Sequence, residues 1–167
     1  MAPSYWDVRW KGVRDPRITV IATGTTTYDF FSQHYRHNKI NSAAAPVLLA
    51  SWDEAQLFIA EAAAVTGDLP RARAILEMFH QRAGIPSVTD TDIPTQSDVI
   101  RHVIEERSRV LFAEGAARLR DHLRWRGTEF EIPFLGEPGS DAPDGRTIGG
   151  ELYGDATCFP VPAIELQ

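Results

Sequence analysis

SWDEAQLFIAEAAAVTGDLPRARAILEMFHQRAG, residues 51–84, reads as two helices joined by a tight turn. Ser51 is a good N-cap, and Glu54 three residues on completes a capping-box pattern. Leu57, Phe58, Ala60, Ala64 and Val65 recur at helical spacing. Gly67 is placed to close the first helix in the left-handed conformation. Asp68 caps the second, whose first turn tolerates Pro70 because the N–H groups there have no intrahelical partner. Ala72, Ile75, Leu76 and Phe79 form its apolar stripe, and Gly84 with Pro86 stops it. Alanines at 60, 63, 64, 72 and 74 let two helices approach closely. A Gly-Asp turn between such faces is what a helix–turn–helix repeat unit needs.

The hairpin resembles a tetratricopeptide-like unit, and one such unit cannot bury both of its faces. No second copy occurs in the 167 residues, so other parts of the chain must cover it. A chain of this length reads as one domain, 1–167, with room for one core. Its parts are an extended, loop-rich lead-in over 1–46, a helical core over 47–127, and a loop with an extended tail over 128–167. The expected fold class is mainly α. Hydrophobic residues make up 43% of the chain and charged residues 24%, ordinary values for a folded protein. The net charge of −6 and a pI near 5.3 argue against general nucleic-acid binding. Cys158, the one cysteine, allows no internal disulfide and reads as a buried thiol. No apolar run reaches membrane-spanning length. The N-terminus MAPSYWDVRWKG has neither the apolar stretch of a secretory signal nor a lipid-attachment cysteine. The chain is therefore expected to be either cytoplasmic or a piece of a longer protein.

Tyr5, Trp6 and Trp10 precede GVRDPR, where Asp15-Pro16 suggests a turn. ITVIATGTTT, residues 18–27, is β-branched and predicts a strand ending at Gly24. Residues 28–46 have no clear period and read as loop with at most a short strand. IPSVTDTDIP, residues 85–94, is a connector punctuated by two prolines. Thr95 with Asp98 predicts the start of a third helix, with Ile100, Val103, Ile104, Val110 and Leu111 as its buried stripe. Gly115 is expected to break or bend it, and AARLRDHLRWRG predicts a fourth helix running to Gly127. Beyond Thr128 the Gly-, Pro- and Asp-rich sequence reads as a long irregular loop. TCFPVPAIELQ is extended by Pro160 and Pro162 and is expected to pack back onto a core.

Three signatures in this order resemble the C-terminal part of the SusD/RagB family. The first is the hairpin, with AEAA and GDLPRARAIL. The second is EERSRVLFAEG followed by Arg118, Asp121 and Trp125. The third is the closing CFPVPAIEL, and GVRDPR resembles the D-P-R ahead of the family's C-terminal region. The sequence departs in one extra residue between Gly115 and Arg118, in Leu119 where the family has an aromatic, and in the absence of polar residues from the closing motif. Members are commonly much longer, with a signal peptide and a lipid-bearing cysteine, so the chain reads as the C-terminal portion of one. The resemblance implies a non-catalytic surface protein of the outer membrane. Such a protein holds a nutrient, typically a glycan, and passes it to a TonB-dependent transporter. It implies no cofactor. In the family, tetratricopeptide-like units form the side that meets the transporter.

Arg118, Asp121 and Trp125 share a helix face and read as architecture, the two charges pairing or capping while the indole packs beneath. They belong with Glu106, Glu114 and Gly115 to the structural motif. Glu106 and Glu114, two turns apart on one predicted helix, do not converge across a cleft as a glycosidase pair must. His34-x-x-His37 lacks companion ligands, and Asp141, Asp144 and Asp155 fit turn chemistry as well as calcium binding. No metal is assigned. Sugars stack on flat aromatic side chains, which makes Tyr5, Trp6, Trp10, Tyr28 and Tyr35 the candidate ligand-binding residues. Trp52 and Trp125 are expected in the core. The rival reading is a small helical adaptor that binds a protein or peptide in its hairpin groove.

Overall fold

The computed structural model describes residues 5–26, 30, 33–40, 42, 44–46, 48–115 and 117–146. Tyr28, Asp155, Cys158 and the closing CFPVPAIEL lie outside the described residues.

Four helices dominate: α1 (Trp52–Thr66), α2 (Leu69–Ala83), α3 (Gln96–Val110) and α4 (Ala117–Arg124). Ahead of them lie two small antiparallel ribbons, β1 (Arg9–Trp10) with β2 (Val13–Arg14), and β3 (Val20–Thr26) with β4 (Gln33–His37). Trp10 pairs with Val13 across a two-residue turn. Lys11 and Gly12 both take positive φ there, as a type I′ hairpin turn requires. In the second ribbon Val20, Ile21 and Ala22 pair with His37, Arg36 and Tyr35, and a bulge separates Ala22 from Thr26.

The helix ends follow local chemistry. The Ser51 hydroxyl accepts from the Glu54 N–H. The Glu54 carboxylate is turned to Arg120 of α4, at 3.1 Å. Gly67 sits at φ 89°, and Asp68 N–H reaches the Ala63 carbonyl, closing α1 with the 6→1 bond of a Schellman turn. At α3 the full reciprocal box forms: Thr95 Oγ1 accepts from Asp98 N–H and the Asp98 carboxylate accepts from Thr95 N–H.

The core lies where α1, α2 and α3 meet. Ala60, Ala63, Ala64 and Ala72 are buried with Leu76, Val99, Ile100, Val103 and Ile104. A second cluster joins Leu57 and Phe79 to Val110, Leu111 and Ala117. The small side chains bring the helix backbones together, and the fully buried Leu57 and Leu76 each add about 1.5–3 kcal/mol of hydrophobic stabilisation.

Several details differ from expectation. Trp52, expected in the core, is 57% exposed, and Phe58 and Val65 of the same helix are exposed at 49% and 52%. Phe58 and Val65 lie seven residues apart on one face, roughly opposite the alanine face that α2 and α3 cover. Helix α3 ends at Val110, capped by Leu111, so Glu114 and Gly115 follow the helix instead of lying within or bending it. Trp125 lies just beyond α4 and packs on the core beside Phe130, with their rings 5.3 Å apart and nearly perpendicular. No helix among the described residues is long and apolar enough to cross a membrane.

Candidate functional site

Two buried polar networks occupy α3, and EERSRVLFAEG supplies a centre to each. The first is built on Arg107, which is almost wholly enclosed. Its guanidinium donates to Asp121 of α4 at 2.5 Å and to Glu61 of α1. Arg124 also donates to Glu61, so three helices share one charge cluster. Burial disfavours the Arg107 charge, but Glu61 and Asp121 outweigh it and raise the pKa. Asp121 therefore pairs with Arg107 and not with Arg118, correcting one form of the expected architecture. Arg118 has no carboxylate partner among the described residues. It lines a recess of about 260 Å³ together with Tyr5, Glu114, Gly115 and Asp121. Burial pushes the Tyr5 hydroxyl above its ordinary pKa, against the pull of Arg118. Glu114 is held by Lys39, at 2.6 Å, which also donates to the Val110 carbonyl at the end of α3.

The second network is centred on Glu106, which is fully buried. Arg17 grips it from the lead-in, one nitrogen on each carboxylate oxygen. The same guanidinium donates to Asp15 from Nε at 2.9 Å and Nη2 at 2.6 Å. Asp15 in turn accepts from the Arg17 N–H, which folds the D-P-R tripeptide on itself. Burial works against both carboxylates. The Arg17 hydrogen bonds and charge outweigh it for Asp15, and the contacts with His80 and Arg17 outweigh it for Glu106, so both pKa values lie below the usual range. On the far side of Glu106, His80 Nε2 lies 3.3 Å from Oε2 and 3.2 Å from His102 Nε2. His80 Nδ1 meets the Pro86 carbonyl at 2.8 Å. Burial lowers the His102 pKa to about 4, so its ring is neutral at pH 7.

Of the aromatic candidates, Trp10 borders the second network and Tyr5 lines the recess beside the first. Trp10 lies edge-on to His80 and His102, at 5.3 and 4.8 Å, and roofs the second network. Trp6 stacks on Tyr35 of β4, at 4.4 Å and 24°. Tyr5 packs on Phe112 at 5.1 Å. His34 and His37 lie in β4, and Asp141 and Asp144 in the turns after α4. Sequence reasoning marked Asp15 and Arg17 only as part of the D-P-R segment and missed His80 and His102. The His102-x-x-x-Glu106 spacing on one helix was the available signal.

Among the described residues these contacts form no free nucleophile–base or acid–base arrangement. The charged groups of both networks are paired within the fold, as in a scaffold. The model of the SusD family matches residues 53–148, more than half of the chain. The chain belongs to the SusD family. No curated protein and no solved structure matches it. Members of the family are typically non-catalytic nutrient-binding proteins associated with the outer membrane, and they work with TonB-dependent transporters. The match begins inside α1 and runs past α4, so it covers Glu106, Glu114, Gly115, Arg118, Asp121 and Trp125. It leaves the D-P-R segment and the N-terminal aromatics outside.

Proposed function

We propose that this SusD-family chain is the scaffold portion of a non-catalytic binder that holds a glycan and hands it to a TonB-dependent transporter at the outer membrane. The family match over residues 53–148 carries the reading. The pairing of Glu61, Glu106, Glu114 and Asp121 with cations supports it, because acid–base catalysis of glycoside hydrolysis needs two carboxyl groups facing each other across a substrate. The Trp6–Tyr35 stack offers a flat aromatic surface for a sugar ring, and Tyr5, Trp10 and Tyr28 are the remaining candidates. On the helical side, exposed Phe58 and Val65 of α1, with Leu119 and Leu123 of α4, give apolar contact positions for a protein partner. A peptide-binding adaptor would use the same helical side without any sugar site.

Calorimetric titration with a panel of soluble oligosaccharides, followed by chromatography of the mixtures, tests the reading. At least one glycan should bind and be recovered intact, and Trp6→Ala with Tyr35→Ala should weaken that binding. Cleaved products, or no glycan binding alongside tight binding of a peptide, would overturn it.

A further inference from the structure

The contacts around His80 pose a question of proton inventory. A carbonyl oxygen has only lone pairs, so the Nδ1 that meets Pro86 carries hydrogen. In a neutral imidazole Nε2 is then a lone pair. That lone pair faces Glu106 Oε2 at 3.3 Å and His102 Nε2 at 3.2 Å. Arg17 already donates to both oxygens of Glu106, as expected of an ionised carboxylate. Three ligand atoms thus converge, all within 4.8 Å of one another and on three buried side chains. A neutral His102 in its Nε2–H tautomer can donate to that lone pair, but the approach of His80 Nε2 to Glu106 Oε2 then still sets two acceptors together, which an additional proton on His80 or a cation would resolve.

We propose that His80 Nε2, His102 Nε2 and Glu106 Oε2 form a binding site for a divalent transition-metal ion of the zinc class. The distances fit. Ligands about 2.0–2.1 Å from a tetrahedral ion lie about 3.3 Å from each other, close to the two observed separations. The ligand set fits, since two imidazoles and one carboxylate are a familiar zinc set. The placement fits as well. His102 and Glu106 stand one turn apart on α3, so a single helix supplies a chelating pair and α2 supplies the third ligand. The surrounding contacts fix the ligands as metal sites require. The Pro86 carbonyl sets the tautomer and ring angle of His80, and Arg17 orients the Glu106 carboxylate. The nearby charges also leave room for a cation. Asp15, Glu105 and Glu106 carry three negative charges, against the positive charges of Arg17 and Arg109. A shared proton would satisfy His80 and one neighbour well, whereas a metal ion satisfies all three atoms together. Roofed by Trp10, the site has three protein ligands, would take its fourth from water, and would tie α2 to α3 beneath the lead-in.

Cobalt titration of the chelator-stripped chain, followed by visible absorbance, reads the site directly. One equivalent of Co²⁺ should give the intense bands of four-coordinate cobalt, and Zn²⁺ should displace it. His102→Gln and His80→Gln should each weaken uptake by at least about tenfold. His34→Gln with His37→Gln should leave it unchanged. Should the buried variants fail to fold, ¹⁵N spectra of the zinc-titrated wild-type chain decide. A His80 Nε2 that loses its proton or shifts on zinc addition supports the site. No uptake of either metal by the wild-type chain, uptake unaltered by His102→Gln, or a His80 with both nitrogens protonated at saturating zinc would each overturn it.

Discussion

Asp121 shows how much one carboxylate can hold. Its Oδ1 takes the Arg107 guanidinium at 2.5 Å in a site where both side chains are almost fully enclosed. Removing it leaves a buried cation with Glu61 as its remaining close carboxylate. Asp121→Ala should therefore cost about 3–5 kcal/mol, read as a lower urea midpoint with an unchanged slope. An unmoved midpoint would mean that Arg107 is held elsewhere. The lead-in makes a second residue-scale prediction. Hydrogen bonds from Lys11, Thr89 Oγ1 and the Thr89 N–H lower the Asp92 pKa to about 2, and Arg17 holds Asp15 below the ordinary range against burial. A depressed carboxylate pKa contributes stability that is present above the unfolded value near 4 and is lost as pH falls through the folded value. Thermal stability should thus fall between about pH 4 and pH 2, and Asp92→Asn should flatten part of that limb. An acid limb identical in Asp92→Asn would contradict the assignment.

At the scale of elements, the helices rest on their caps. Thr95→Ala removes the hydroxyl half of the reciprocal box at α3 and should destabilise the fold by about 0.5–2 kcal/mol, measured by chemical unfolding. Full stability in that variant would show that α3 is held by packing alone. These helices were legible because their signals are local. Ser51, Gly67, Asp68 and Thr95 act within one turn, and the alanine spacing marks the covered face. Other features were not legible. Periodicity says which residues share a face but not how far a neighbour covers it, so Trp52, expected in the core, is exposed. Likewise Glu114 was read into α3, because no local stop marks Val110 as strongly as Gly67 marks the end of α1. Half of the Glu106 site was visible as His102-x-x-x-Glu106. The other half depends on the register of α2 against α3 and on Arg17 crossing from 89 residues away, which no local pattern encodes.

For the whole molecule, three cations of the lead-in are among the described contacts that fasten it to the helical core. Lys11 reaches Asp92, Arg17 reaches Glu106, and Lys39 reaches Glu114 and the end of α3. These clamps set the two aromatic-bearing ribbons against the helical body. Phe58→Asp with Leu123→Asp should leave the unfolding midpoint within about 0.5 kcal/mol of wild type, because both residues are exposed, while weakening attachment to a protein partner. A large loss of stability in that double variant would show that this face is packed. The most direct measurement is to tag the gene at its own locus, isolate outer membranes under mild detergent, and identify what co-purifies. The account predicts a TonB-dependent transporter in near-stoichiometric amount, released by Phe58→Asp with Leu123→Asp. Recovery of the tagged protein from the soluble fraction with no transporter attached would contradict it.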